Sequence, residues 1–124
     1  MATIFPTIVD VSPLGDGSAL QVVWTPVTSA GADVCAAVKY PKHSDKSVQV
    51  AGTFGGGSIA VNGSNDGTNY APLNDPTGTV IAITAEKIKA VLENTVLVQP
   101  AISGGTGQSV TISMLLQYAN PART

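Results

Sequence analysis

Apolar and polar residues alternate along several short segments of this chain, and a period of two is typical of β-strands with one buried face. The longest such segment runs from Ser109 to Gln117, and its alternating apolar residues are Val110, Ile112, Met114 and Leu116. Leu115 interrupts the alternation by placing an apolar side chain on the opposite face. We therefore predict that Leu115 contacts a neighbouring molecule.

The stretch from Val48 to Leu73 has the same period, interrupted by two groups of turn residues. Its apolar positions are Val48, Val50, Ile59 and Val61, with Tyr70 and Leu73 in a third segment. The glycines at 55–57 and the sequence at 65–67 supply the positive-φ positions that tight loops need. This stretch predicts three strands that follow one another as a β-meander.

Further strands are predicted at Ser18 to Val27, Val34 to Tyr40, Val80 to Ile83 and Thr95 to Val98, the last ended by Pro100. Eight or nine short strands with regularly spaced turns are typical of an antiparallel β-sandwich or jelly roll. Neither a linker nor a fixed-period repeat divides residues 1–124. We expect one β domain, with residues 118–124 as a C-terminal tail.

One short helix is predicted at residues 84–94. Thr84 is a suitable N-cap, and Glu86 lies in the first turn, where the helix dipole favours an anion. The residues that would share the buried face of this helix are Ile88, Val91 and Leu92.

Residues 1–11 form an apolar segment that we interpret as an N-terminal arm or edge strand, because Pro6 cannot donate a hydrogen bond to a sheet ladder. Its large apolar residues are Ile4, Phe5, Ile8 and Val9. They carry more apolar surface than an interrupted edge strand buries in its own sheet. We therefore predict that residues 1–10 pack on a neighbouring chain.

The composition supports an assembled protein. Hydrophobic residues make up 44% of the chain but charged residues only 11%, against about 25% in typical soluble domains. No charged residue occurs between Asn94 and Ala122, whereas a monomer normally spreads charge over its surface to resist association. We predict a homo-oligomer. The net charge of −2 gives no reason to expect nucleic acid or an anionic membrane as a partner.

Cellular location can also be predicted from the residues. Cys35 is the only cysteine, so no intrachain disulfide can form. The first residues lack the basic region and apolar run of a signal peptide, and no apolar run approaches the ~20 residues of a membrane span. We expect a soluble protein made in a reducing cytoplasm.

Three motifs imitate functional sites, and each favours a structural interpretation. Residues 55–60 match the dinucleotide pattern G-x-G-x-x-A, but a strand follows where that site needs a helix. Residues 62–73 begin like a calcium loop and end in Leu73, where a bidentate Glu is required. His43 lies beside Ser44 and Asp45 in an exposed-looking loop, which does not orient the three side chains as a catalytic triad requires.

The remaining cysteine, histidine and glutamate side chains also lack the partners that a metal or catalytic site needs. Cys35 and His43 give only two of the three or four ligands that zinc usually takes, and Cys35 lies in an apolar segment typical of the core. Glu86 and Glu93, with lysines between them, are typical of a solvated helix face. We predict no catalytic, cofactor-binding or metal-binding residues, and no enzymatic activity.

Five sequence features follow one another between Ser47 and Leu116, over half of the chain. They are a GTF-glycine hairpin, a GSNDGT turn before an aromatic residue, an Asp-Pro-x-Gly turn, an Ala-Val-x-Glu-Asn helix end, and a Pro-x-x-Ser-Gly-Gly turn before the last strand. The pattern resembles the capsid decoration (cement) proteins of podovirus-like tailed phages. This chain departs from it at Gln99, where such proteins often carry arginine, so the resemblance does not extend to an electrostatic contact there.

The resemblance implies a jelly-roll or β-barrel module that binds the outside of the capsid, commonly as a trimer, and stabilises the shell. The partner would be the major capsid protein, and the location would be the exterior of the virion. Ile4, Phe5, Ile8, Val9 and Leu115 would then contact a sister protomer or the capsid. The GSNDGTNY turn is also similar to one in discoidin-type sandwiches, so the alternative is a carbohydrate-binding module of a phage fibre or tail.

Overall fold

The computed structural model describes residues 3–28 and 33–118, which form β-strands joined by turns. The strands are β1 (Thr3–Ile4), β2 (Thr7–Asp10), β3 (Ala19–Thr28), β4 (Val34–Cys35), β5 (Val38–Lys39), β6 (Asp45–Thr53), β7 (Ser58–Ser64), β8 (Ala71–Pro72), β9 (Lys87–Val91), β10 (Leu97–Ser103) and β11 (Ser109–Gln117). No helix occurs within those two ranges. The prediction of an all-β, mainly antiparallel protein is confirmed, and the narrower prediction of a jelly roll stays a prediction.

The larger sheet has five antiparallel strands in the order β2-β3-β11-β6-β9. Its three central strands are 9 or 10 residues long, and β11 pairs along its whole length with β6. The edge strands are shorter, with 4 residues in β2 and 5 in β9. This sheet therefore presents a broad, continuous surface built on three long strands.

The smaller sheet has four strands in the order β5-β10-β7-β8, and β1 pairs with β4 in a separate parallel ladder. The predicted end of a strand at Pro100 is wrong, because β10 continues through this residue. Pro100 pairs with Val61, whose carbonyl accepts a hydrogen bond from the Leu73 amide on the other side of β7. The pair thus needs no N–H from residue 100, and a proline is tolerated.

One hydrophobic core collects buried residues from both sheets. Its members on the larger sheet include Val22, Trp24, Val48, Val50, Ile112, Met114 and Leu116, as the alternation along β3, β6 and β11 predicts. Trp24 is fully buried, and its Nε1 donates to the Ala36 carbonyl oxygen at 3.0 Å. Ile81 and Ile83 are also fully buried, but residues 80–83 make only isolated bridges rather than the predicted strand.

The helix predicted at residues 84–94 is wrong. Lys87–Val91 form β9, which pairs antiparallel with β6 at the edge of the larger sheet. A helix of two or three turns has little stability of its own in water, whereas β6 offers a row of backbone groups that need partners. The ladder places Ile88 and Val91 on opposite faces of the sheet, and their exposed fractions are 63% and 7%.

The predicted β-meander is also wrong, because the consecutive strands β6 and β7 lie in different sheets. The glycine loop between them crosses from one sheet to the other. Gly55 has a φ of 58°, and a Cβ there would lie 2.0 Å from the carbonyl oxygen of Thr106. The Thr106 amide donates to the Gly55 carbonyl at 3.0 Å, so this glycine loop is a packed junction.

Candidate interaction surface

The outward face of the five-stranded sheet carries two adjacent rows of side chains that cross all five strands. Strand register defines the rows, because directly paired residues point to the same side of a sheet. The first row is Val9, Gln21, Leu115, Ser47 and Ala90. The second row is Thr7, Val23, Ser113, Gln49 and Ile88. We call these ten residues the outer patch.

None of the ten side chains is charged. Three of them are exposed apolar groups: Val9 at 45%, Leu115 at 37% and Ile88 at 63%. A shallow depression of about 310 Å³ lies beside Leu115 and Ile88, and it is lined also by Val11, Gln21, Ser47, Gln49, Ser113 and Met114. Asp45 lies on β6 two residues before Ser47, outside the two rows. Its carboxylate accepts a hydrogen bond from the Gln117 side-chain amide.

The period of two explains why this face is uncovered. The neighbouring positions Val22, Val48 and Met114 point the other way and are fully buried in the core. The glutamines, serines and threonine of the outer patch are compatible with water, whereas exposure of the Leu115 and Ile88 side chains to water is unfavourable. A sheet face that is left uncovered, has no charged side chain and exposes three apolar ones is a candidate for contact with another molecule. The outer patch is therefore the best candidate for a binding surface.

The structure brings two predicted interface residues together, since Val9 and Leu115 lie in one row with Gln21 between them. The sequence could not show this, because β2 and β11 are far apart along the chain and both pair with β3. Their contact with a neighbouring molecule stays a prediction.

The N-terminal segment forms β1 and the edge strand β2, and several of its apolar side chains are only partly covered. Phe5 is 76% exposed and Ile8 is 42% exposed. Ile8 pairs with Val22 and so faces the core side of the sheet, opposite to Val9. Ile4 differs from the other three, because it packs against the hydrophobic core.

Ile88 is the apolar residue of the outer patch that the sequence prediction missed, because the predicted helix placed it on a buried face. The sequence feature that indicates a strand here is the alternation of Lys87 and Lys89 with Ile88 and Ala90. The two lysines point to the core side of β9, where the Lys89 Nζ lies 3.1 Å from the Asp75 carboxylate. Inward-pointing charge on an edge strand discourages pairing with a further strand, while Ile88 remains available outside.

His43 does not lie in an exposed loop as predicted, since only 7% of it is exposed. Its ring packs against those of Tyr40 and Tyr118, with centroid distances of 5.4 Å and 4.8 Å. The Nε2 donates to the carbonyl oxygen of Gly17 at 2.7 Å. The imidazole therefore binds backbone and packs against aromatic rings, and no catalytic dyad is formed by this hydrogen bond.

Lys46 belongs to β6 and is only 3% exposed. Its Nζ donates to the Asn94 Oδ1, and the Asn94 side-chain amide donates to the Pro41 carbonyl at 2.9 Å. Burial lowers the pKa of this amine, because desolvation disfavours the charged form. The Lys46–Asn94 hydrogen bond connects the start of β6 to the segment that follows β9.

Cys35 is buried in the core, and burial raises the pKa of its thiol to about 12. The thiolate is the reactive form, so this cysteine is a poor nucleophile. Within residues 3–28 and 33–118, no three His, Cys, Asp or Glu side chains lie close enough together to hold a metal ion. The same part of the chain contains no helix that is long and apolar enough to cross a membrane.

The loop that imitates a calcium site is closed by its own side chains. The Asp66 carboxylate accepts hydrogen bonds from the backbone amides of Thr68 and Asn69 and from the Ser64 hydroxyl and the Asn69 side chain. The Asn69 amide contributes most to lowering the pKa of Asp66. Both carboxylate oxygens are used within the turn, as the structural interpretation predicts.

Several other carboxylates stabilise turns in the same way. Asp75 accepts hydrogen bonds from Thr77 and Thr79 and pairs with Lys89, and the Thr77 hydroxyl contributes most to lowering its pKa to about 2. Glu93 binds the backbone and side chain of Asn74, which lowers its pKa as well. These carboxylates are structural, and they make the fold sensitive to acid.

We expect stability to fall between about pH 4 and pH 2. A carboxylate whose pKa is lower in the folded state binds protons more readily when unfolded, so acid favours unfolding. For Asp75 the loss should begin near the unfolded pKa of about 3.9 and continue through the folded value of about 2. Urea unfolding midpoints measured across this range test the prediction.

The matched control is Asp75→Asn, which removes one titrating group and should flatten the decline below pH 4. A wild-type midpoint that stays constant down to pH 2 would contradict these carboxylate contacts.

No family model matches the chain, and no curated protein is significantly similar to it. Among solved structures the chain is similar to the SPBc2 prophage-derived protein YomS, with 12% identity over 79% of this chain and 93% of YomS and a TM-score of 0.54. It also matches 13% of IMPa from Pseudomonas aeruginosa, solved in complex with an O-glycopeptide, over 85% of this chain with 19% identity. That TM-score is 0.43, too low to indicate a shared fold. The chain thus has the fold of a prophage-derived protein.

Proposed function

We propose that this chain is a non-enzymatic structural protein of a phage particle, a decoration protein that binds the outer surface of the capsid and stabilises it. The observation that carries the proposal is the uncharged outer patch, together with the exposed edge segment at residues 5–9. Apolar groups at the centre of a sheet face and along its edge give a monomer no stability. They fit a protein that works while bound to other subunits.

The chemistry of the chain supports a binding role. His43 binds a backbone carbonyl, Cys35 is a buried thiol with a raised pKa, and Lys46 is held by an asparagine. Each of these groups is engaged in contacts that stabilise the fold. A hydrolase or transferase needs a nucleophile, a base and an oxyanion donor at one place.

The similarity to YomS supports a phage origin, because YomS is prophage-derived. The resemblance to decoration proteins between Ser47 and Leu116 supports the narrower role on the capsid. Two parts of that resemblance have a different structure here. The Ala-Val-x-Glu-Asn segment begins in strand β9 instead of ending a helix. The GTF-glycine loop joins strands of different sheets instead of forming a hairpin. The glycine and Asx turns of the resemblance do occur as turns.

The major capsid protein is the partner that we expect at the edge segment. Phe5 and Ile8 are exposed although β2 is already hydrogen-bonded to β3. A groove on the capsid that accepts these two side chains would bury them at no cost to the fold of the domain. The trimer implied by the resemblance is a further proposal that the mass in solution would test.

Mixing the purified protein with assembled capsids of its phage tests the proposal. After sedimentation in a density gradient, the protein should travel with the capsids in a fixed stoichiometric ratio, and decorated capsids should resist heating better than bare ones. A chain that stays at the top of the gradient at all concentrations would contradict a decoration role. The matched control is capsid to which the protein is already bound to saturation, which should take up no more.

Carbohydrate binding is the second candidate, and Tyr70 is the observation that favours it. This ring is 37% exposed and follows the Asp66 turn directly in sequence. Trp24 is buried and Tyr40 packs against the core, so a flat aromatic platform of several rings is not available from them. Binding to a glycan array that disappears in Tyr70→Ala, together with failure to bind capsids, would favour this candidate.

A further inference from the structure

We infer that Gln99 is a positioning residue for attachment to the capsid. It holds residues 34–36, which we call the platform, and the platform holds Phe5 in the exposed position from which it contacts the capsid. The inference rests on the proposed function and deepens it, since it gives a role in binding to a residue far along the chain from the edge segment.

Phe5 lies between two short strands that are anchored to different partners. β1 pairs with β4 through Thr3 and Ile4, and β2 pairs with β3 from Thr7 onwards. Only Phe5 and Pro6 lie between them, and a following proline restricts Phe5 to extended conformations. The backbone of Phe5 is therefore fixed at both ends, although the residue is 76% exposed. An aromatic side chain on a fixed backbone binds with a smaller loss of conformational freedom, so holding β1 in place favours attachment.

The β1 end of this arrangement depends on the platform. Among the described strands β4 pairs through its backbone with β1 alone, and the two strands share two residue pairs. The Ala36 amide extends the contact by donating to the Ile4 carbonyl oxygen at 2.9 Å. So short a parallel ladder has little stability of its own. The platform must therefore be held by other parts of the domain.

Two side chains from other strands hold the platform. The Trp24 Nε1 donates to the Ala36 carbonyl oxygen at 3.0 Å, and the Gln99 Nε2 donates to the Cys35 carbonyl oxygen at 2.7 Å. Trp24 belongs to β3 of the larger sheet, and Gln99 belongs to β10 of the smaller sheet. The platform is thus connected to both sheets, and through it so is β1.

The Gln99 side chain connects β4 to β10 where no backbone ladder does. β10 pairs with β5 at Leu97 and Val98, and beyond these pairs a depression of about 130 Å³ is lined by residues 33–35 and 99–102. The side-chain amide reaches Cys35 from β10. Loss of this amide removes a hydrogen bond that no backbone pairing between the two strands replaces. The platform and β1 should then open more often.

The first test is hydrogen exchange in Gln99→Met, which keeps the length of the side chain and removes the donor. The Ala36 amide reports on the platform without capsids, because it exchanges when its bond to Ile4 opens. Followed by NMR, its exchange should become roughly 3- to 10-fold faster, as expected for the loss of one hydrogen bond. The Gly78 amide, which donates to the Asp75 carbonyl in a separate turn, should keep its rate.

The second test is attachment to capsids, measured by co-sedimentation over a concentration series. Phe5→Ser should weaken attachment by roughly 10-fold or more, and Gln99→Met by roughly 3- to 10-fold. Substitutions at two sites that share no contact normally give additive losses. If Gln99 acts through Phe5, Gln99→Met should cause no further loss in a chain that already carries Phe5→Ser. A purely structural role would not produce this result.

Asn62→Leu is the matched control. Asn62 pairs directly with Gln99 across β7 and β10, and the substitution removes a side-chain amide without touching the bond to Cys35. It should change neither the exchange of the Ala36 amide nor attachment. Circular dichroism confirms folding, and if Gln99→Met does not fold, Gln99→Asn, whose amide ends one methylene short of Cys35, takes its place.

A folded Gln99 variant that attaches like wild type, or that keeps the wild-type exchange at Ala36, would overturn the inference and leave the proposed function intact. Losses that add in the double variant would do the same. Wild type that does not sediment with capsids would refute the proposed function, and the capsid-binding role of Gln99 with it.

Discussion

Replacing Trp24 with alanine should lower the free energy of unfolding by about 3–5 kcal/mol. Trp24 is fully buried in β3 and is the largest of the fully buried side chains in the core. The substitution leaves a cavity between the sheets and leaves the Ala36 carbonyl without its 3.0 Å donor. Domains of this kind have only about 5–15 kcal/mol of stability, so much of it would be lost. Urea unfolding followed by circular dichroism measures the change.

Trp24→Phe is the matched control, because it keeps an aromatic ring and loses the N–H donor. We expect it to cost about 1–3 kcal/mol, less than the alanine variant. If Trp24→Ala unfolds at the wild-type urea concentration, the indole does not have the packing described above.

The double substitution Phe5→Ser and Ile8→Ser should weaken attachment to the capsid by more than about 100-fold while leaving the domain folded. Phe5 is 76% exposed, so its loss should change stability by no more than about 0.5 kcal/mol. Ile8 is 42% exposed on the core side of β2, so its loss should cost about 1 kcal/mol, which leaves the domain folded. Burying such a side chain fully in an interface is worth roughly 1.5–3 kcal/mol. Co-sedimentation with capsids over a concentration series measures the affinity.

Ile4→Ser provides the contrast, because Ile4 packs against the core and β1 pairs with β4. This variant should lose stability in the isolated domain, unlike the double variant. Deleting residues 2–9 removes both β1 and β2, so it tests attachment less cleanly than the point variants do. Wild-type attachment of the double variant would show that the capsid is bound by another surface.

Strands with a strict period of two could be predicted from the sequence. β11 occupies Ser109–Gln117 as predicted, and its inward residues are buried because alternation fixes which face of a strand is apolar. β3 and β7 follow the same rule. Leu115, identified as the residue that breaks the pattern, is exposed on the opposite face.

Segments whose residues fit two periods could not be assigned from local pattern. In residues 87–92 the apolar positions fit a helical stripe, while Ile88 and Ala90 also fit one face of a strand. The backbone groups of β6 decided between them, because they needed hydrogen-bond partners from a strand far along the chain. His43 and Lys46 are buried for a similar reason: Gly17, Asn94 and the aromatic rings that surround them come from distant segments.

The sequence by itself determined that this protein is all-β, that charge is scarce in it, and that Val9 and Leu115 are apolar groups without an evident place in the core. Only the tertiary structure decided that β6 and β7 belong to different sheets and that Val9, Leu115 and Ile88 lie on one face. The physical reason is that alternation is a local property of each strand, whereas pairing order is set by contacts between strands up to a hundred residues apart. The outer patch exists only once β2, β3, β11, β6 and β9 are aligned in that order.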